Sequence, residues 1–211
     1  MMEDVTRLYL VACAQTTLDS KGVFQGPADH RLSRKGTSHA KLLRMHLKDH
    51  QIDSFYSSPY GGAFATASAI AAGHRRGVIR LRDLREMDFG QWVGRSPNQL
   101  KESDPDGLIA WQFTPHEYRM PGGETLAEVQ SRVVSALEDV VSVEEGNVVC
   151  VVTHSIPLKT AMSHFLNEDL SIIWFTPRQE STALNIIAFQ GDQATVTLVD
   201  SLEHLGKDRP T

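Results

Sequence analysis

The chain is predicted to fold as an α/β protein, a three-layer α/β/α sandwich with a mostly parallel central sheet and an antiparallel edge. Three observations carry this prediction. The apolar runs at 8–11 and within 147–153 are continuous rather than alternating, as in strands buried on both faces. Segments with helical spacing lie between the strand-like runs, the order that parallel strands need. Near the end, strand-like runs at 183–189 and 194–199 flank Gly191-Asp192 and read as an antiparallel hairpin.

The elements follow in order. Residues 6–11 form the first strand, and 23–31 a polar loop containing Gly26 and Pro27. Ser33 is placed to cap a helix running toward His50, with Leu43 and Leu47 as its apolar stripe. Arg34, Lys35, Lys41, Arg44 and Lys48 read as its solvated face, and His39, His46 and His50 are assigned there too. Residues 54–57 form a second strand, Pro59-Tyr60-Gly61-Gly62 a turn, 63–72 an Ala-rich helix and 78–81 a third strand. Thr125-Leu126-Ala127-Glu128 is a capping box. It opens a helix with Leu126, Val129, Val133, Leu137 and Val140 on one face. A helix at 156–166 follows the strand at 147–153. Residues 83–122 are irregular and aromatic, with Trp92 and Trp111 as cover for the core. The organisation expected is one domain over 1–211, with 83–122 an irregular insertion over the active-site end of the sheet.

Composition bounds the function. At 211 residues, 41% hydrophobic and 22% charged, the chain can bury a core without staples. A net charge of −5 weighs against nucleic acid or an anionic membrane as partner. Cys13 and Cys150 do not make a disulfide framework, and Cys150 belongs to the core. The first residues lack the basic-then-apolar order of a signal peptide, and no apolar run approaches the ~18 residues of a membrane span. A cytoplasmic protein is the expectation, with no cofactor and no metal.

In open α/β sheets ligands sit beyond the carboxyl ends of the strands. Ala12-Cys13-Ala14, the segment around Glu86, and His154-Ser155 all fall at such ends. Several motifs recur in an order that resembles the histidine phosphatase (phosphoglycerate mutase-like) superfamily. Leu8 to Thr16 matches its first strand and loop. Phe24-Gln25-Gly26 with Asp29 matches its Q-G-x-x-D stretch, and Ser57-Ser58-Pro59 with Ala63 and Thr66-Ala67 a further segment. Leu84 to Trp92 followed by Gly94 matches L-x-E-x-x-F-G-x-W-x-G, and Pro121-Gly122-Gly123-Glu124-Thr125 matches P-G-G-E-S/T. Val151 to Ser155 matches the second His loop, and Asp200 to Leu205 the closing N-D-x-x-H-L.

The resemblance implies a phosphate pocket of two Arg and two His, with a Glu as proton donor. By position, Ala12 replaces the first Arg, Cys13 the nucleophilic His, Ala14 the Gly, and Gly62 the second Arg. His154 and Glu86 remain, and Ser155 follows His154 in place of Gly. An Arg grips phosphate oxygens with a permanent, bidentate charge, and each charge-assisted hydrogen bond is worth ~1.5–3 kcal/mol. The replacements therefore lead to an expectation of no phosphatase or mutase activity. The pocket is expected to take a neutral or weakly charged small molecule. Catalytic candidates are Cys13, Glu86 and His154, acting by acid/base chemistry such as dehydration, cyclisation or acyl transfer. Binding candidates are Ala12, Ala14, Gln15, Gly62, Tyr60 and Ser155, with His116 and Arg119 reaching in from nearby loops. Cys13 reads either as a nucleophile activated by His154 or as a small packed thiol. A Cys13-His154-Glu86 zinc site is chemically allowed and is set aside. The alternative to a repurposed enzyme is an inactive pseudophosphatase acting as a binding or scaffolding protein. The hairpin edge is open to pairing in a homodimer.

Overall fold

The computed structural model describes residues 5–175 and 179–209. Its strands are β1 (Thr6–Ala12), β2 (Ser54–Ser57), β3 (Ile79–Arg80), β4 (Val148–Thr153), β5 (Leu184–Gln190) and β6 (Gln193–Ser201). They form one sheet in the order β3-β2-β4-β1-β5-β6. The pairs β3–β2, β2–β4 and β4–β1 are parallel, whereas β5 and β6 add an antiparallel edge. The fold class is the one expected.

The continuous apolar runs are explained by two cores. Leu8, Leu10, Val149 and Val151 face one, and Tyr9, Val11, Cys150 and Val152 the other. On the second face lie α1 (Arg34–Leu47) and α2 (Gly61–Ala71), through Leu43, Leu47, Ala63, Ala67 and Ile70. On the first lie α5 (Leu126–Val143) and α6 (Ser155–Phe165). All five apolar positions expected on α5 are buried. The segment between β3 and α5 carries α3 (Pro97–Ser103) and α4 (Pro105–Phe113), and Trp92 and Trp111 are buried in the first core.

The caps form as the sequence implies. The Ser33 hydroxyl accepts the Gly36 N–H at 2.9 Å. Thr125 and Glu128 close their reciprocal box at 3.2 and 2.9 Å, satisfying N–H groups left free at a helix start. A second box, Ser96 with Gln99, opens α3.

Three expectations are corrected. Gly61 and Gly62 belong to the first turn of α2 rather than to a turn before it. The third strand is reduced to Ile79 and Arg80, both exposed at the sheet edge. His39 is buried, not on the solvated face of α1. It stands four and eight residues before Leu43 and Leu47, and that spacing puts all three on one helix face. Among the described residues no helix is long and apolar enough to cross a membrane.

Candidate functional site

The site follows from the pairing of β1 with β4. Ala12 lies opposite Thr153, so the two parallel strands end at the same level. The Cys13 N–H donates to the Thr153 carbonyl at 2.8 Å, and there the chains part into separate loops. Between them opens a cleft of about 500 Å³. Ala12, Cys13, Ala14, Gln15, Gly62, Glu86, His154 and Ser155 all line it.

The loop after β1 is held by its backbone. The Ala14 N–H donates to the Thr66 hydroxyl at 3.0 Å and the Gln15 N–H to that of Ser181 at 2.8 Å. The Gln15 carbonyl accepts the Ser33 N–H at 2.9 Å, and the Gln15 side chain accepts the Ser33 hydroxyl at 2.8 Å. Gly36 is required beside it, because a Cβ there would stand 2.0 Å from the Gln15 carbonyl oxygen. The Cys13 thiol donates to the Ala14 carbonyl at 3.1 Å. Burial pushes that thiol up to about 12, Asp19 and Glu86 push the same way, and the Thr66 hydroxyl opposes them. Cys13 is therefore a protonated thiol at neutral pH, not a resident thiolate.

Glu86 is the titratable group best suited to neutral pH. Its Oε1 accepts the Met87 N–H at 2.8 Å, and the Ser155 and Ile156 N–H groups at the start of α6 also favour its charge. Burial outweighs them and the Arg132 guanidinium, and the carboxyl is held up at about 7. His154 shares a 2.7 Å hydrogen bond between Nε2 and the Ser58 hydroxyl. Burial first, then Arg132 and His30, lower it to about 4, so it is neutral near pH 7.

Tyr60, His116 and Arg119 do not line the cleft. Tyr60 is the N-cap residue of α2, with its N–H on the Ser58 hydroxyl. Arg119 is turned to Glu128 and the Gly123 carbonyl. Conversely, Asp19, His30 and the run Gln179-Glu180-Ser181 line the cleft without having been singled out. The signal for that run was the largely polar stretch between Phe175 and Ala183. Among the described lining residues there is no Lys or Arg.

Residues 8–201 match the model of the histidine phosphatase superfamily, branch 1. Phosphoserine phosphatase 1 of Hydrogenobacter thermophilus is 34% identical over 170 residues, covering 81% of each chain. Putative phosphoserine phosphatase 2 of the same organism is 30% identical, over 94% of this chain and 97% of its own. The solved structure of Bacillus stearothermophilus YhfR superposes with a TM-score of 0.92 at 30% identity, over 95% of this chain and 99% of that one. These relatives overturn the expectation of a repurposed protein or an inactive scaffold. That expectation weighed charges lost at a few loop positions above a likeness spread over nearly the whole chain. The likeness runs with proteins named phosphatases. The chain belongs to the histidine phosphatase superfamily, branch 1.

Proposed function

We propose that this chain hydrolyses a small phosphomonoester of the phosphoserine kind in the cleft beyond β1 and β4. The observation that carries the reading is Glu86, a carboxyl held in the cleft and still half protonated near pH 7. It is placed to protonate the oxygen that leaves phosphorus. The names of the two Hydrogenobacter relatives supply the substrate class.

Phosphoryl transfer passes through a loose transition state, so protonation of the leaving oxygen matters more than a strong nucleophile. With Cys13 protonated and its S–H on the Ala14 carbonyl, water is the attacking group. Its oxygen bonds phosphorus as the bond to the leaving oxygen breaks, and that oxygen takes the Glu86 proton. The water's protons leave with the phosphate, and Glu86 regains a proton from solvent. His154, neutral and oriented by Ser58, contributes a hydrogen bond rather than a charge. Positive potential comes from the starts of α2 and α6, which open on the cleft through Gly62, Ser155 and Ile156. Where the resemblance calls for Arg-His-Gly the chain has Ala12-Cys13-Ala14, so turnover is expected to be slow.

Phosphate release from phosphoserine and from p-nitrophenyl phosphate tests the reading. Glu86→Gln is expected to lower kcat/KM for phosphoserine by about 10²-fold. The loss is expected to be smaller for p-nitrophenyl phosphate, whose leaving group needs little protonation. Cys13→Ala is expected to stay within about tenfold of the parent, since removing a weak donor costs about 1 kcal/mol. Absence of phosphate release from both substrates and from a panel of small phosphomonoesters overturns the proposal.

A further inference from the structure

Glu86 lies in irregular chain between the short 3-10 turns Arg82–Leu84 and Gly90–Trp92. Beside the Thr153 hydroxyl on the Leu84 carbonyl, a side chain from another element holds that chain in place. Arg132, on α5, spends its guanidinium there. Its Nε and Nη2 grip both oxygens of Glu124 at 2.8 and 3.0 Å. Its Nη1 donates to the carbonyls of Asp83 at 2.6 Å and Arg85 at 2.9 Å, and Nη2 to that of Glu86 at 3.3 Å. Glu124 completes the arrangement by accepting the Asp88 N–H at 2.9 Å and Arg85 Nη2 at 3.0 Å. The two side chains are only 11% and 15% exposed. Backbone on both sides of Glu86 is thus tied to one buried ion pair. Only a planar fork can serve three carbonyls and a carboxylate at once, which a Lys ammonium cannot do.

We propose that Arg132, with Glu124, is the positioning residue for the Glu86 carboxyl, fixing the backbone that presents it and the charge that faces it. The proposal rests on the reading of Glu86 as proton donor. The charge that acts on Glu86 is that of Arg132 on α5. Of the other described titratable groups lining the cleft, Cys13 after β1 and His154 at the end of β4 are neutral near pH 7, and Asp19, His30 and Glu180 complete the set. The guanidinium draws Glu86 downward against burial and lowers His154 as well. Glu124 offsets part of that charge.

The test follows Glu86 by carboxyl NMR titration of the full chain, beside kinetics on phosphoserine across pH. Arg132→Gln is expected to raise the proton affinity of Glu86 roughly tenfold. Glu124→Gln, which leaves the guanidinium uncompensated, is expected to shift it the opposite way. Arg132→Lys keeps the charge and is expected to leave the titration near the parent's. It is expected to lower kcat about tenfold or more with little change in KM, because the carboxyl is no longer held in place. Opposite shifts from the two Gln variants support the proposal, and a purely structural role would not produce them. Shifts of the same sign, or none, in folded variants overturn it. Should Arg132→Gln fail to fold, Glu124→Gln and Arg132→Lys decide: an unmoved titration in the first with unchanged kcat in the second overturns it. If the parent releases no phosphate, the titrations still decide the positioning role, and the missing turnover counts only against the proposed function.

Discussion

Glu86 binds its proton more tightly in the folded chain than in the unfolded one, because its carboxyl is raised from 4.5 to about 7. A group shifted upward contributes stability that is complete below its unfolded value and lost as pH rises through the folded one. Glu86→Gln is therefore expected to be more stable than the parent at pH 8, by on the order of 3 kcal/mol at most, and about equal at pH 4. Denaturant titrations at the two pH values check this; a gap that does not depend on pH counts against it. Activity is expected to fall as pH rises past about 7, where the donor proton is lost. Glu86, His154 and Cys13 were legible in the sequence because each follows a strand or sits in a tight signature. Arg132 was not, since a single Arg on an amphipathic helix looks like any solvated position. Only the fold shows that its head meets three carbonyls of the segment 83–86.

At the scale of elements, the helix starts were the most legible features, because a cap is written in residues three apart. The Ser33 cap, which takes the Gly36 N–H, and the box of Thr125 with Glu128 both formed as read. What spacing alone could not show was contact between elements. Gly36 looks like a poor helix residue, yet α1 can approach the loop after β1 only because it has no side chain. Gly36→Ala is expected to cost about 3 kcal/mol or more, since the new Cβ meets backbone that cannot rotate away. The same change is expected to loosen the Gln15 contacts, raising KM. Thermal unfolding and steady-state kinetics measure the two effects. The shortened β3 was misjudged for a related reason. Val78 and Leu81 are half-buried against the two cores, and residue pairing with β2 covers only Ile79 and Arg80, so pairing rather than hydrophobicity sets the length.

For the whole molecule, acid is the weak side. His204 and His154 are both lowered to about 4, mainly by burial, with like charge from neighbouring His and Arg adding to it. Groups shifted downward contribute stability that is present above their unfolded values and lost as pH falls through the folded ones. The fold is expected to weaken steadily from about pH 6.5 toward pH 4. His204 Nε2 shares a 2.9 Å hydrogen bond with Thr182, next to Ser181 of the cleft. His204→Gln is expected to flatten part of the acid decline, and hydrogen exchange at pH 4.5 is expected to show residues 203–208 opening early. The class of fold was legible because buried strands and amphipathic helices have different periods. The neighbour order was not: β4 is distant from β1 in sequence, and their pairing creates the cleft.

The close fit of Gly62 bears on how this chain can change. A Cβ at 62 would stand 3.0 Å from Cys13 Sγ and 3.0 Å from Thr16 Cγ2. Any larger residue there presses on side chains of the loop after β1, which must give way by a few tenths of an ångström. A smaller side chain at position 13 or 16 is therefore expected to ease a substitution at position 62. Substitutions at 13 and 62 are expected to be non-additive, the cost of one depending on the residue at the other.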